Sequence, residues 1–238
     1  MDPLEERLKG LREPLVLDVA TGGGGFAAHL REQYPGLGDI TGIDISIKGL
    51  KRPGKGPGGV ERMYPVCMDS SLMAFRDRTF GLVCISNSLH HMESVEGTLR
   101  EMVRVLRPGG TLLVSEMYRD GLTETQTSHL MMHEWWAEID RRRGVPHYST
   151  FMRGEILSLI EGLGLEDVIT RDYSFTDGDP LEEGLIQRLC ASIDSYLDKL
   201  VGSDEDTDLR LRGERLRERL LNTGFHSASS LAVIGTRP

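Results

Sequence analysis

Leu17-Asp18-Val19-Ala20-Thr21-Gly22-Gly23-Gly24-Gly25-Phe26 is the stretch that decides the fold. A short apolar run, LVLDV over 15–19, enters a cluster of glycines, and helical spacing resumes over 26–33. Such a strand–glycine turn–helix passage lets the chain reverse sharply and bring bare backbone close to a ligand. Upstream, residues 4–11 (LEERLKGL) read as a short amphipathic helix stopped near Pro14. Downstream, DITGIDI over 39–45 is a second strand that ends on an acid.

The alternation continues. Residues 63–68 and 80–86 read as third and fourth strands, and 95–106 as a helix with Leu99, Met102, Val103 and Leu106 on one face. Arg107-Pro108-Gly109-Gly110 should end that helix, and 111–117 should be a fifth strand. Continuous apolar strands alternating with helices predict an α/β fold, a parallel sheet with helices on both faces. The basic run KRPGKGPGG over 51–59 cannot hold a regular helix and reads as a flexible loop.

Beyond residue 117 the rhythm changes. Helices are expected over 123–143 and 153–163, a sixth strand over 165–174 and a seventh over 230–236. Between these last strands, Leu181, Leu185, Leu189, Ile193, Tyr196 and Leu200, then Leu209, Leu216 and Leu220, recur at helical steps. The reading is one domain over 1–238, with helical insertions at 118–152 and 176–224 suited to a lid or, for the second hairpin, a homodimer interface. Arg210, Arg212, Arg215, Arg217 and Arg219 alternate with Glu214 and Glu218 and read as a solvated face.

Composition narrows the function. Lys and Arg total 28 against 37 Asp and Glu, a formal charge of −9. That sign disfavours general nucleic-acid binding, which needs phosphate-neutralising cations. Cys67, Cys84 and Cys190 show no ligand spacing and suggest a reducing compartment. No apolar run approaches the roughly 20 residues a membrane span needs. The expectation is a soluble cytoplasmic protein that engages no membrane.

Three chemical signals fall at the carboxyl ends of consecutive strands: the glycine turn, Asp44, and Met68-Asp69-Ser70. A carboxylate at the end of the second strand can accept both ribose hydroxyls, and one after the third can accept from an adenine amine. Together they describe a nucleoside site.

Here the residues resemble the class I S-adenosylmethionine-dependent methyltransferases. In LDVATGGGGF, Asp18, Ala20, Gly22 and Gly24 occupy the places of the first motif. GIDIS resembles the second, MDSSLMAFRDRTFGLVCISNSLHHM the third and fourth together, and LREMVRVLRPGGTLLVSE the late helix–turn–strand signature. The likeness covers about residues 13–117 and is strongest to the ubiquinone/menaquinone-biosynthesis-like small-molecule subgroup. It implies a Rossmann-like, mostly parallel sheet of seven strands with a final antiparallel hairpin, and S-adenosyl-L-methionine as cofactor. It implies Asp44 on the ribose, Ile45 beside the adenine, and Met68, Asp69 and Ser70 at its edge. The methionine moiety would lie over Asp18, Ala20, Thr21, Gly22 and Gly24, near Ser86 and Asn87. Gly81 departs from an aspartate frequent in the family, Ala20 from a glycine, and the 51–59 loop from a helix. Two alternatives stand beside an enzyme acting on a small-molecule acceptor. One is a catalytically silent cofactor-binding partner protein. The other is a dinucleotide oxidoreductase, which would want G-x-G-x-x-G and has no use for Asp69.

The acceptor side is less legible. Methyl transfer is in-line displacement, dominated by positioning, and needs a base only where the acceptor must lose a proton. His90 and His91 follow the fourth strand. On a helix over 123–143, His129, His133, Trp136 and Asp140 fall within about 60° of one another. His91 and His133 are therefore the candidate catalytic residues, and His90, His129, Trp136, Asp140, His147 and Tyr148 the candidate acceptor contacts. This helix is expected to face the cofactor's methyl group. His129, His133 and Asp140 also have metal-ligand spacing, but that pattern fits many ordinary helices, and no metal is assigned.

Overall fold

A computed structural model describes residues 2–50, 62–200 and 204–238. The 51–59 loop expected from the sequence lies outside the described residues. The element order is α1 (Pro3–Gly10), β1 (Val16–Val19), α2 (Gly25–Gln33), β2 (Ile40–Asp44), β3 (Met63–Cys67), β4 (Phe80–Ser86), α3 (Val95–Val105) and β5 (Leu106–Met117). It continues with α4 (Glu124–Arg142), α5 (Arg153–Glu161), β6 (Glu166–Phe175), α6 (Glu183–Leu197), α7 (Asp204–Thr223) and β7 (Ser227–Thr236).

Seven strands form one sheet in the order β3-β2-β1-β4-β5-β7-β6. Strands β3 through β5 of that order pair in parallel, with Asp18 opposite Gly42 on one side and Cys84 on the other. Every residue of β1 and all but the last of β4 are buried, as expected of strands covered on both faces. The order reverses between β1 and β4, so the crevice at their carboxyl ends is the topological switch point where open α/β sheets bind ligands. The Gly109 amide donates to the Arg237 carbonyl and the Tyr118 amide to the Ser229 carbonyl, which fixes β7 as antiparallel to β5.

The RPGG segment is a correction. It does not act as a turn between α3 and a strand at 111; the strand itself begins at Leu106, opposite Phe80. Gly109 and Gly110 exchange backbone hydrogen bonds with Arg237 at 2.8 and 2.9 Å, and this distant partner draws the segment into the sheet. Gly81 finds its reason here as well. A Cβ at this position would lie 2.7 Å from Pro14 Cβ and 3.2 Å from an Arg107 guanidinium nitrogen, so the site is filled without a carboxylate.

The chain divides into two compact units. The first comprises Met1–Glu116, Gly154–Arg171 and Leu231–Pro238, and the second Met117–Arg153 and Asp172–Ser230. The second unit has its own core, in which Met132, Trp135 and Ile139 of α4 meet Ile186, Cys190 and Ile193 of α6 and Leu209, Leu216 and Leu220 of α7. The buried stripe of α6 is thus one position on from the expected Leu185–Leu189 line, and those two leucines flank it. The arginine run of α7 is bound to its own unit: Arg212 to Glu138, Arg217 to Asp194, Arg219 to Glu124 and Ser128, and Arg210 to the Leu200 carbonyl.

Candidate functional site

The turn after β1 is held from beneath. Ala20, Gly22 and Gly24 all have positive φ, at 54, 50 and 79°. Gly24 is required twice over, because a Cβ there would also press on Met63 Sδ at 3.1 Å. Ala20 adopts left-handed backbone that a glycine would take without steric cost. Asp18, 1% exposed, accepts from the Thr21 hydroxyl at 2.5 Å and the Cys84 thiol at 3.6 Å. Burial pushes its carboxyl up to about 6, opposed by the Thr21 and Cys84 hydrogen bonds and aided by the Asp44 charge. Asp18 therefore shapes the turn through Thr21.

Asp44 ties the turn to β2. Its Oδ2 accepts from the Gly22 amide at 3.0 Å and its Oδ1 from the Ser46 amide at 2.8 Å. Each oxygen keeps a second lone pair, the number a vicinal diol uses. Ile45 and Leu72 stand 75% and 80% exposed, large apolar side chains suited to an adenine face. Leu72 has no counterpart in the sequence reading, because an isolated leucine in a loop carries no periodicity. Asp69 is exposed and accepts from the amide and hydroxyl of Ser71 through Oδ1. Ser70 turns its hydroxyl to Thr98 at 3.0 Å and to the Met92 sulfur. Met68 donates its amide to the Asp44 carbonyl, which links β3's end to β2's. Helix α2 starts at Gly25 with no side-chain cap, so its first-turn amides suit an anionic group.

At the end of β4, Ser86 is half-buried and Asn87 exposed with φ 44°, its amide bound to the Ser115 carbonyl. The next residues show what sequence reasoning missed. Glu116, fully buried at the end of β5, accepts from the Ser88 and Leu89 amides at 3.0 and 2.8 Å through Oε2. Its Oε1 meets His90 Nδ1 at 2.7 Å. His90 is buried, while His91 is exposed and stacks on it with centroids 4.3 Å apart. The signal was an acid closing the apolar run LLVS, but nothing local joins it to a histidine 26 positions earlier.

In the second unit, His147 is the junction. Its Nδ1 meets Asp140 Oδ2 at 2.9 Å, its Nε2 meets His133 Nε2 at 3.0 Å, and the Tyr196 hydroxyl donates to the same Asp140 oxygen at 3.3 Å. Burial, then the Asp140 charge, pushes the Tyr196 phenol up to about 12. Where the Asp140 oxygen accepts from His147 Nδ1, His147 Nε2 is left to accept from His133. His129 stands apart: its Nδ1 accepts from the Ala228 amide at 2.8 Å and its ring packs on Phe225. The i, i+4 pair His129 and His133 is thus not brought to one point. Trp136 packs 5.7 Å from Tyr196, ring to ring, with its buried Nε1 unpartnered, and Tyr148 is exposed.

Residues 17–114 match the model of the methyltransferase domain family. Over this segment the chain is similar to the methyltransferase domain family. It is 30% identical over 110 residues to a demethylmenaquinone methyltransferase of Porphyromonas gingivalis, covering 44% of each chain. It is 37% identical over 95 residues to a ubiquinone/menaquinone biosynthesis C-methyltransferase of Desulfotalea psychrophila, 40% of this chain and 38% of the relative. The match thus spans less than half the length of these curated relatives. Over nearly the whole chain, the fold is similar to a cyclopropane-fatty-acyl-phospholipid synthase-like protein of Lactobacillus casei, with TM-score 0.65, 18% identity and coverage of 98% and 88%. The cofactor of such a domain is S-adenosyl-L-methionine, and the Asp44 lone pairs, the exposed Ile45 and the uncapped α2 fit its ribose, adenine and carboxylate.

Proposed function

We propose that this protein transfers the methyl group of S-adenosyl-L-methionine to a small-molecule acceptor. The observation that carries the reading is Asp44. It grips the glycine turn through Gly22 and still offers one lone pair on each oxygen for the ribose. The bound cofactor supplies an electrophilic methyl on a sulfonium. Asp44, Ile45 and Asp69 set the nucleoside, and the Ala20–Gly24 turn with α2 sets the methionine end. Orientation of this kind is the principal catalytic contribution to in-line displacement. In the second unit, His133, Trp136, Asp140 and His147 are proposed to contribute acceptor contacts. A silent cofactor-binding protein has no use for them.

No described helix is long and apolar enough to cross a membrane. With a charge of −9, we place the protein in the cytoplasm, without nucleic-acid partners, and assign the α6–α7 hairpin as its homodimer surface.

Calorimetry with S-adenosylhomocysteine tests the cofactor assignment. Asp44→Ala should weaken binding by about 2–4 kcal/mol, roughly 30- to 1,000-fold, as two hydrogen bonds to a charged acceptor are lost. A wild-type protein that binds NAD and not this ligand overturns the reading. Turnover is tested with radiolabelled cofactor and a metabolite extract, beginning with the substrate named for the Porphyromonas relative. His133→Ala and Trp136→Ala should lower turnover while cofactor affinity holds. Full activity in both variants removes these residues from the acceptor set.

A further inference from the structure

We propose that Thr98, Glu101 and Arg104 of α3 are positioning residues that set base specificity in the nucleoside site, acting through Asp69 and Leu72. The inference rests on the cofactor reading above and concerns residues outside the cofactor set, all within the first unit.

The segment 68–79 joins β3 to β4 and contains neither helix nor strand. Its backbone groups therefore need partners from elsewhere. Helix α3 supplies them. The Met73 amide donates to Glu101 Oε2 at 2.7 Å, and Arg104 donates to the Met73 and Phe75 carbonyls at 2.8 and 2.9 Å. The Arg78 and Thr79 amides donate to the carbonyls of Arg104 and Val105 at 3.1 and 2.7 Å. One turn before Glu101, the Thr98 hydroxyl meets that of Ser70 at 3.0 Å. Thr98, Glu101 and Arg104 recur at helical steps, so one side of α3 runs along the segment and holds it.

The Arg104 guanidinium is fully committed. Besides the two carbonyls, it donates to Glu101 Oε1 and Oε2 at 2.6 and 2.8 Å and to Asp77 at 2.6 Å. Its five N–H donors thus meet five acceptors, in a fixed fork that lysine lacks. The hydrogen bond from Arg104 holds the Glu101 carboxyl below the usual carboxylate range, so Glu101 is charged where it takes the Met73 amide. This clamp grips Met73, whose side chain is buried, while Thr98 holds Ser70. Beside these anchors stand the groups fitted to the nucleobase, Leu72 and Asp69, both exposed. The contacts of the Asp69 side chain with described residues, from the Ser71 amide and hydroxyl, both fall on Oδ1. Oδ2 keeps its lone pairs for an exocyclic amine. Such a contact separates adenine from a base with oxygen in that place when the carboxylate is held in register before the ligand arrives.

S-adenosylhomocysteine and S-inosylhomocysteine differ at this position of the base, amine against carbonyl oxygen. Calorimetry of the full chain with both ligands reads the discrimination. Wild type should prefer the adenosyl ligand roughly 30-fold or more, because a charged acceptor gains a donor in one case and meets an oxygen in the other. Arg104→Lys keeps the charge and loses the fork, and Glu101→Gln removes the charged partner of that fork. In each, the preference should fall to about threefold or less through loss of adenosyl affinity, while inosyl affinity does not fall. Asp69→Asn should abolish the preference by itself, and adding Arg104→Lys should lower it no further. Thr98→Val removes one hydroxyl and leaves the guanidinium clamp in place, so it is the mildest variant and should lower the preference about threefold. A merely structural role would weaken both ligands together and leave their ratio as it was. A ratio unchanged in the folded variants of α3, or in Asp69→Asn, overturns the inference while the cofactor reading stands. A wild type that binds neither ligand overturns the cofactor reading itself, and this inference with it.

Discussion

Asp18 is the residue at which burial and charge are most at odds. Its carboxyl is held at about 6, against about 3.9 for a free aspartate. Between those values the folded chain binds more protons than the unfolded chain, so this group makes stability fall as pH rises. Its contribution is fullest below about pH 4 and is lost as pH passes 6. Asp18→Asn removes the titration while an amide oxygen can still accept from Thr21. The stability of the variant relative to wild type should therefore rise by about 1.5 kcal/mol between pH 5 and pH 7.5. Urea denaturation at the two pH values measures it, and a difference that does not change with pH defeats the assignment. The place of Asp18 before the turn was legible in the sequence; its burial against Cys84 came only from the pairing of β1 with β4.

At the scale of elements, α4, α6 and α7 show how far a helical pattern carries and where it stops. Leucines at steps of three and four announced the helices, and the tertiary fit chose which side turned inward. Gly213 in mid-α7 illustrates the difference. By propensity alone, Gly213→Ala should stabilise the helix by about 1 kcal/mol. In the structure, a Cβ there would lie 2.7 Å from Trp135 Cζ2 and 3.0 Å from Leu197 Cδ2. The Trp135 ring cannot retreat, being fully buried with its Nε1 donating to the Leu209 carbonyl at 2.8 Å. Overpacking of about 1–3 kcal/mol should outweigh the propensity gain, leaving Gly213→Ala less stable than wild type. A urea midpoint at or above that of wild type would contradict this. The RPGG segment carries the same lesson in reverse: it has the residues of a helix stop, yet Arg237, more than 120 positions away, recruits it as strand. The Asp140–His147–His133 chain and the Glu116–His90 pair were hidden for that reason too, since contacts across a fold leave no mark on local spacing.

For the molecule as a whole, the division into two units makes a prediction about where cofactor binding is felt. The residues fitted to the cofactor, from Asp18 through Asn87, all belong to the first unit. The helices α4, α6 and α7 belong to the second, which has its own apolar centre around Trp135. A ligand that binds only the folded form stabilises what it touches, by about 2.7 kcal/mol at a hundredfold excess over its dissociation constant. Local opening in a protein is set by contiguous cooperative units, so this gain need not spread evenly. Hydrogen exchange with and without S-adenosylhomocysteine should show added protection in the turn after β1, at the end of β2 through Ser46, over 68–72 and across 86–92. The Glu116 clamp predicts protection of the Ser88 and Leu89 amides even before ligand is added, because both are committed to a buried carboxylate. Peptides from the buried face of α7 should exchange at the same rate in both conditions. Protection that rises in α7 as much as in the glycine turn would mean that the two units open together, and would refute the division at the level of stability.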